Sequence, residues 1–275
     1  MSNQIYIGKE PAGHPGTAPT AWNELPYAGE SMDVSPNYSE SNNVGGTSRL
    51  PSAMTLESLN VQGSVNGDFA VTTAMETLIE SVMANELTAN TAGSPTGLVA
   101  YRDAKLGDAQ ITFSYLKVIE NSDGSKTYHL YSGCMVSEMT ISSAEAGALT
   151  YSCSIIGQTR TVSTTAPSGT LSSAGAYKIL TADKVIGLST GSIDIATECY
   201  KGFTLTINSN AVGNVCIGTS GNKSIEMKNV SATLETTLKY KSDQFTPLFD
   251  AATEVAVHVS AKATDNSYWD FDASR

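Results

Sequence analysis

The stretch that decides the fold is 59-LNVQGSVNGDF-69. Its odd positions are apolar or very small, and every even position is polar. Because side chains alternate between the two faces of a strand, this pattern predicts a long β-strand with one apolar face and one hydrated face. The predicted hydrated face consists of Asn60, Gln62, Ser64, Asn66 and Asp68.

A short amphipathic helix is predicted directly after this strand, within 72-TTAMETLIESVMA-84. Its apolar residues follow the spacing i, i+3, i+4 and i+7, which places them on one helical face. Thr73 and Glu76 have the spacing of a capping box. The helix is expected to pack through Met75, Leu78, Ile79 and Val82.

The same strand and helix occur a second time. The segment 55-TLESLNVQGSV-65 aligns without gaps to 224-SIEMKNVSATL-234, and the alternation keeps its phase. An internal duplication is therefore predicted. The second hydrated face would carry Asn229, Ser231, Thr233, Glu235 and Thr237, and the second helix would pack through Phe245, Leu248 and Phe249.

The chain is expected to be mainly β, with two similar antiparallel sandwich or half-barrel domains that each carry a packing helix. Alternating segments at 111–119, 127–142 and 147–157 predict a meander. The small, polar stretch 161–176 predicts a linker between a first domain at 1–160, including an N-terminal arm, and a second domain at 177–275. Since fewer strand residues follow the second helix than the first, we expect either that another segment, such as 4-QIYIG-8, completes the second domain or that this domain is incomplete at its C-terminus.

Composition and net charge restrict the functions that the chain could have. The 275 residues carry a formal net charge of −11 without a cluster of Lys and Arg, which argues against tight nucleic-acid binding. No signal peptide and no apolar stretch of membrane-spanning length is apparent, so a soluble, cytosolically made chain with no membrane partner is expected. The four cysteines lack metal-binding spacing and are predicted to be buried thiols.

No motif predicts catalysis. His14, His129 and His258 are far apart in the sequence, which makes a zinc site improbable, and no cofactor motif is present. The pattern 187-GLSTG-191 fits the nucleophile elbow of serine hydrolases, but that elbow needs a helix directly after the serine. A strand-like segment follows Ser189 instead. We therefore predict no enzyme, no catalytic residues, no metal and no cofactor, with a hydrolase using Ser189 as a remote alternative.

An ordered set of motifs resembles the tail tube (major tail) proteins of long-tailed bacteriophages. The motifs are 6-YIGKEPAGHPGTAP-19, 29-GES-31, 48-SRL-50, 61-VQGSVNGDF-69, 131-YSGCMVSEMTIS-142 and 147-GALTYSCSIIG-157. The resemblance implies a structural virion protein, assembled in the host bacterial cytoplasm. Its rings would join long strands into one large β-barrel and stack into a hollow tube for DNA ejection.

The resemblance also implies the partners. They are other copies of the chain, further tail proteins (tape measure, terminator and distal tail), and genomic DNA that passes without specific binding. Family members give four strands per tube domain and 24 per barrel, so two domains per chain predict a trimeric ring with pseudo-sixfold symmetry, with a hexamer as the alternative. The hydrated faces would line the lumen. A decoration or adhesin module of β-sandwich type is the competing interpretation.

Overall fold

A computed structural model describes residues 3–40, 54–90, 101–103, 105–144, 147–175, 182–189, 199–216, 221–239, 250, 256–262 and 268–273. These residues are mainly β, as predicted, and one complete helix, α1, spans Thr73–Met83. The strands are β1 Asn3–Lys9, β2 Ala21–Glu24, β3 Gly29–Glu30, β4 Asp33–Glu40, β5 Met54–Asp68, β6 Thr88–Asn90, β7 Tyr101–Asp103, β8 Phe113–Glu120, β9 Lys126–Ala144, β10 Thr150–Gly157, β11 Thr159–Ser163, β12 Thr170–Ser172, β13 Ala182–Ser189, β14 Cys199–Asn208, β15 Val212–Val215, β16 Asn222–Glu226, β17 Ser231–Lys239, β18 Ala256–Lys262 and β19 Tyr268–Ala273.

Two sheets share the 19-residue strand β9. Its first half pairs with β8 and β11 in sheet A, which continues through β1 and β2 to β12. Its second half pairs with β10 and β14 in sheet B, where β5, β3 and β4 follow β10, and β17 follows β14. Within these sheets only the pairing of β12 with β2 is parallel. The predicted meander is confirmed as β8, β9 and β10.

One apolar core joins sheets A and B, as expected for a β-sandwich. Sheet A contributes Ile5, Ile7 and Tyr115, and sheet B contributes the buried faces of β5, β10, β9 and β14. The buried face of helix α1 belongs to the same core. The helix lies chiefly against β9, β1 and β14. The apolar face of β5 therefore packs into the same core as α1, the helix that follows β5 in the sequence.

The helix begins one residue earlier than the capping-box prediction requires. Thr72 is the N-cap, and its side-chain oxygen accepts a hydrogen bond from the Met75 backbone amide at 3.2 Å. The prediction of Thr73 as the cap was wrong, because Thr73 already has its place in the first helical turn. Met75, Leu78 and Val82 are buried and Ile79 is partly buried, as the periodicity predicted.

Two glycines on the buried face of β5 let another backbone segment approach it. A Cβ atom on Gly63 would lie 2.7 Å from the Ser31 carbonyl oxygen and 2.7 Å from the Met32 amide nitrogen. A Cβ atom on Gly67 would lie 3.1 Å from the Tyr27 Cα atom. These small residues therefore make room for the chain between β2 and β4, which crosses this part of the strand.

Replacing Gly63 with Ala is expected to destabilise the fold by roughly 1–3 kcal/mol, the usual cost of overpacking a filled site. The clash is with backbone atoms of Ser31 and Met32, which cannot turn aside as a flexible side chain can. Chemical denaturation measures the effect. Ser64→Ala, on the opposite face, is the control and is expected to change stability less; equal stability of Gly63→Ala and the unaltered chain would contradict the packing described here.

The second copy of the strand is interrupted. The alignment predicted one strand through 224–239, but β16 ends at Glu226 and β17 begins at Ser231. The reason is a change of partner, since β16 pairs with β15 in a small hairpin while β17 pairs with β14. The second helix, with Phe245, Leu248 and Phe249, lies outside the described residues.

The stretch 161–176, predicted as a linker, is in large part attached to sheet A. Its start belongs to β11, and β12 lies beside β2. The Trp22 indole donates a hydrogen bond to the Ser168 carbonyl oxygen at 3.0 Å, and the Glu24 carboxylate accepts one from the Ala174 amide at 3.0 Å. The segment that connects the two halves of the sequence is therefore held along the first half.

Beyond this segment, β13, β18 and β19 form a separate antiparallel sheet in that order. The sheet contacts the first half through aromatic rings: Trp269 of β19 packs edge-on against Phe69, with 5.5 Å between the ring centroids. Two further pairs, β6 with β7 and β15 with β16, form small hairpins.

Candidate functional site: the polar face of sheet B

The two faces of β5 are as different as the sequence predicted. Val61 and Val65 are 2% and 0% exposed. Asn60, Gln62, Asn66 and Asp68 are exposed, and Ser64 is half-buried. The alternation is thus confirmed for residues 60–69. What the hydrated side faces in an assembly stays a prediction.

The hydrated side of β5 is one edge of a much wider polar face, because the strands of sheet B lie in matched register. Asp68, Asn66 and Ser64 of β5 each stand beside a polar residue of β10, then of β9, β14 and β17. Three rows cross these five strands. They are Asp68–Thr150–Ser142–Thr204–Glu235, Asn66–Ser152–Thr140–Thr206–Thr233 and Ser64–Ser154–Glu138–Asn208–Ser231.

Hydrogen bonds link neighbours within these rows. The hydroxyl oxygens of Ser142 and Thr150 are 3.0 Å apart, and the Asn208 amide donates to the Glu138 carboxylate at 3.1 Å. At the β5 edge, the hydroxyls of Ser31 and Ser64 are 3.0 Å apart. Cross-strand pairs of this kind stabilise a sheet even where its face is exposed to solvent. The three rows therefore form a face that consists only of polar side chains.

The charge on this face is mainly negative. The rows contain Asp68, Glu138 and Glu235, and Asp33 stands beside Gln62 where β4 joins the sheet. On the same side of β17, Lys239 lies at the far end of the strand. A surface of this sign repels phosphate groups.

The predicted residues of the second half occupy the other end of this face. Ser231, Thr233, Glu235 and Thr237 are exposed along β17, on the same side as the polar residues of β5. Asn229 is exposed as well, but it precedes β17 and its carbonyl oxygen accepts a hydrogen bond from Asn210 at 2.7 Å. The two copies are thus brought into one sheet, separated by β10, β9 and β14.

The three central strands of the face were not singled out from the sequence. The signal was present, because 150-TYSCSIIG-157 and 203-FTLTIN-208 alternate in the same way as the stretch in β5. No sequence pattern indicated the order in which these strands lie in the sheet. Pairing of β9 with β14, which joins the halves, links residues 58 to 70 positions apart.

Comparison with known proteins identifies the family of the chain. A family model described as phage tail tube protein matches residues 2–268, almost the whole chain. The chain belongs to the phage tail tube protein family. No curated protein matches it. A structural role in the virion tail follows from membership of the family.

The sheet of this tail tube protein ends in two edge strands. Among the described residues, β4 pairs only with β5, and β17 pairs only with β14. The path from β4 through β5, β10, β9 and β14 to β17 is antiparallel at every step. With six strands on this path, β4 and β17 run in opposite directions. The described strands of one chain do not close into a barrel.

The cysteines and the serine singled out from the sequence lie on different strands or loops of the described structure. Burial raises the pKa of the Cys134 and Cys153 thiols, which leaves them protonated and unreactive at neutral pH. Cys216 is exposed, so the prediction of a buried thiol was wrong for that residue. Ser189 ends strand β13 opposite Ala256, and the residues directly after it lie outside the described part of the chain.

Neither a metal-binding cluster nor a membrane-spanning helix is present among the described residues. No group of three or more His, Cys, Asp or Glu residues is arranged there to hold a metal ion. No helix in that part of the chain is long and apolar enough to cross a membrane.

A buried carboxylate that sequence reasoning missed holds the N-terminal loop to sheet A. Glu10 is only 4% exposed. It accepts hydrogen bonds from the Ser114 hydroxyl at 2.6 Å and from the Gly16 and Gly133 backbone amides at 2.7 and 2.8 Å. One side chain thereby joins the loop after β1 to β8 and β9. No local pattern distinguishes such a glutamate from an exposed one.

Proposed function

We propose that this tail tube protein assembles edge to edge into rings whose polar faces line a channel for the genomic DNA. The single observation that carries the proposal is the polar face itself, which crosses the five strands from β5 to β17 in a sheet whose two edge strands, β4 and β17, run in opposite directions. Placing β4 of one copy beside β17 of the next continues the sheet antiparallel. Closing the ring pairs both edges, which would otherwise invite uncontrolled association.

The chemistry of the face suits passage of DNA. Small hydroxyl and amide side chains keep the wall hydrated, and the carboxylates repel phosphate, so that a duplex would slide without being held. The apolar core on the other side of the sheet fixes which face points inward, because only the polar side can face water in the channel.

The two halves have the same plan in part, which supports an internal duplication. The hairpin of β14 and β17 corresponds to that of β4 and β5, and the pairing of β13 with β18 corresponds to that of β1 with β8. Under this proposal residues 1–160 and 177–275 are two tube domains, and their long strands alternate around the ring.

The number of copies follows from the width of the channel. Six strands per chain give 18 strands in a trimer, and strands ~4.8 Å apart with a tilt of ~40° then close at a backbone diameter of about 36 Å. Side chains of ~5 Å on each wall leave about 26 Å, enough for a duplex about 20 Å across. Eight strands per chain would widen the backbone diameter to about 48 Å, and a hexamer of six-stranded chains to about 72 Å. A trimer fits best, and it would have pseudo-sixfold symmetry if each half of the chain contributed four strands, as in the eight-stranded case.

Electron microscopy of the purified protein tests this function. Stacked rings with a central channel are expected, and averaging down the tube axis should give threefold symmetry with a sixfold resemblance. Native mass measurement of single rings should give three chains. True sixfold symmetry would exclude the trimer and favour the hexamer. A protein that stays monomeric both alone and with tail initiator proteins would contradict ring assembly and leave a decoration or adhesin module as the better interpretation.

The remaining parts of the proposal are assembly in the host cytoplasm and contact with tape measure, terminator and distal tail proteins. Co-expression of such proteins from the same phage, followed by isolation of tail-like particles, tests them. The hydrolase alternative is tested with Ser189→Ala. If the unaltered chain has an esterase activity that this variant lacks, the hydrolase alternative is supported.

A further inference from the structure

The outer edge of β4 is divided into a closed part and an open part. Backbone groups of β4 alternate between β5 and the outside. Ser31 donates to the Ser64 carbonyl oxygen at 2.9 Å, so odd-numbered residues in this register direct their amides to β5. Even-numbered residues from Met32 to Pro36 therefore direct their backbone groups outward, where another strand would have to bind. A register shift follows Asn37, but its extra residue, Glu57, belongs to β5, so the alternation of β4 continues through Tyr38 and Glu40.

The outward groups at the start of this edge are already used. The Met32 amide donates to the Glu30 carboxylate at 3.2 Å, and the Val34 amide donates to the Asp33 carboxylate at 2.8 Å. The Met32 carbonyl oxygen accepts a buried hydrogen bond from the Tyr131 hydroxyl at 3.0 Å. Residue 36 is proline, which has no amide to donate.

Side chains of sheet A hold both of the carboxylates in place. Lys117 forms an ion pair with Glu30 in which both side chains are largely buried. Arg160 donates to Asp33 at 2.8 Å. The buried ion pair fixes the Glu30 carboxylate at the Met32 amide, whereas the Asp33 carboxylate reaches the Val34 amide as a local contact between adjacent residues, which Arg160 supports.

Beyond Pro36 the edge is different. Among the described residues no side chain accepts a hydrogen bond from the outward amides of Tyr38 or Glu40. Tyr38 is 53% exposed, and its cross-strand neighbour Leu56 is 41% exposed, which makes an apolar pair on the projecting end of the hairpin. An open strand edge beside exposed apolar side chains is suited to pairing with another strand.

We infer that Glu30, Asp33 and Pro36 close the first part of the β4 edge to strand addition, and that β17 of a second copy pairs with Asn37–Glu40. The second copy is the partner because β17 is the opposite edge of the same sheet and runs in the direction that an antiparallel pair requires. Pairing there places the polar side of β17 next to that of β4. This inference rests on the proposed ring, and it names the stretch of edge that the ring uses.

The decisive variant is Tyr38→Pro, with Tyr38→Thr as its matched control. Proline at this position removes an outward amide and leaves the hydrogen bonds to β5 intact, while threonine keeps the amide and also loses the aromatic ring. We expect both variants to fold like the unaltered chain by circular dichroism. Tyr38→Pro should assemble at least about tenfold more slowly than Tyr38→Thr, as measured by light scattering and sedimentation.

The double variant Asp33→Ala/Pro36→Ala tests the closed part. It restores an amide at residue 36 and releases the amide of Val34, so we expect faster self-association than in the unaltered chain. Arg160→Gln is its control, since that change removes the ion pair and keeps the Asp33 carboxylate on the Val34 amide.

Two results would overturn the inference: assembly of Tyr38→Pro at the rate of Tyr38→Thr, or an unchanged association rate for the double variant. A separate result tests the ring. If the unaltered chain never forms rings, the proposed function is contradicted. The closed edge can still be tested in that case, because it predicts that the double variant associates although the unaltered chain does not.

Discussion

Replacing Val65 with Arg is expected to abolish soluble folded protein. Val65 is fully buried in the core between sheets A and B, and the carboxylate of its cross-strand neighbour Glu30 is already paired with Lys117, so an arginine at residue 65 would lack a free partner. An unpaired buried charge costs several kcal/mol, and a domain of this kind has only about 5–15 kcal/mol of stability. Soluble yield and thermal denaturation measure the loss.

The matched control for this prediction is the neighbouring residue Asn66. It lies on the polar face and is exposed, so Asn66→Arg should fold with a change in unfolding free energy below about 1 kcal/mol. In assembled tubes the same change would place a cation in the proposed channel and is expected to slow DNA passage. Equal loss of soluble protein in both variants would mean that the two faces of β5 are wrongly assigned.

Replacing Glu10 with Ala is expected to be the second most damaging change, at roughly 2–6 kcal/mol. The carboxylate accepts three hydrogen bonds, and its loss leaves the buried Ser114 hydroxyl and Gly133 amide without an acceptor, whereas the amide of the exposed Gly16 can bond to water. Each buried donor that loses its partner costs about 1–3 kcal/mol. Chemical denaturation should show the loss in full, and hydrogen exchange should rise at Gly16 and Gly133.

A milder variant tests whether the loss of stability comes from these hydrogen bonds or from the lost side-chain volume. Ser114→Ala removes one of the three donors along with its need for a partner, and is expected to cost no more than about 1.5 kcal/mol. A loss for Glu10→Ala as small as that for Ser114→Ala would show that the three bonds do not act as described.

The parts of the fold that were predicted correctly depend on local pattern. The strand of residues 59–68, the helix that follows it and the three strands of the meander were all apparent from period-2 or period-3.6 alternation. The errors have local causes as well. The helix cap was placed on Thr73 because the capping-box spacing is satisfied there, but the adjacent Thr72 competes for the same role. The repeated strand was drawn too long because a hairpin of β15 and β16 interrupts it.

The candidate site was predicted only at its two ends. Residues of β5 and β17 were named, whereas Glu138, Thr140 and Ser142 of β9, which connect them, were not. Alternation tells which side of a strand is polar, but it does not tell which strands are neighbours. The polar face became a continuous surface only through pairings between residues far apart in the chain.

The sequence by itself determined which side of each long strand is buried and which is hydrated, because successive side chains of a strand must point to opposite faces. Only the tertiary structure decided that β14 lies beside β9, that Glu10 is buried among three donors, and that the β4 edge is closed as far as Pro36. Each of these depends on contacts between distant segments, whose energies arise only when the whole chain has packed. The stretch 59–69 therefore specifies a strand with one apolar and one polar side, and the rest of the fold makes its polar side part of a face that spans five strands.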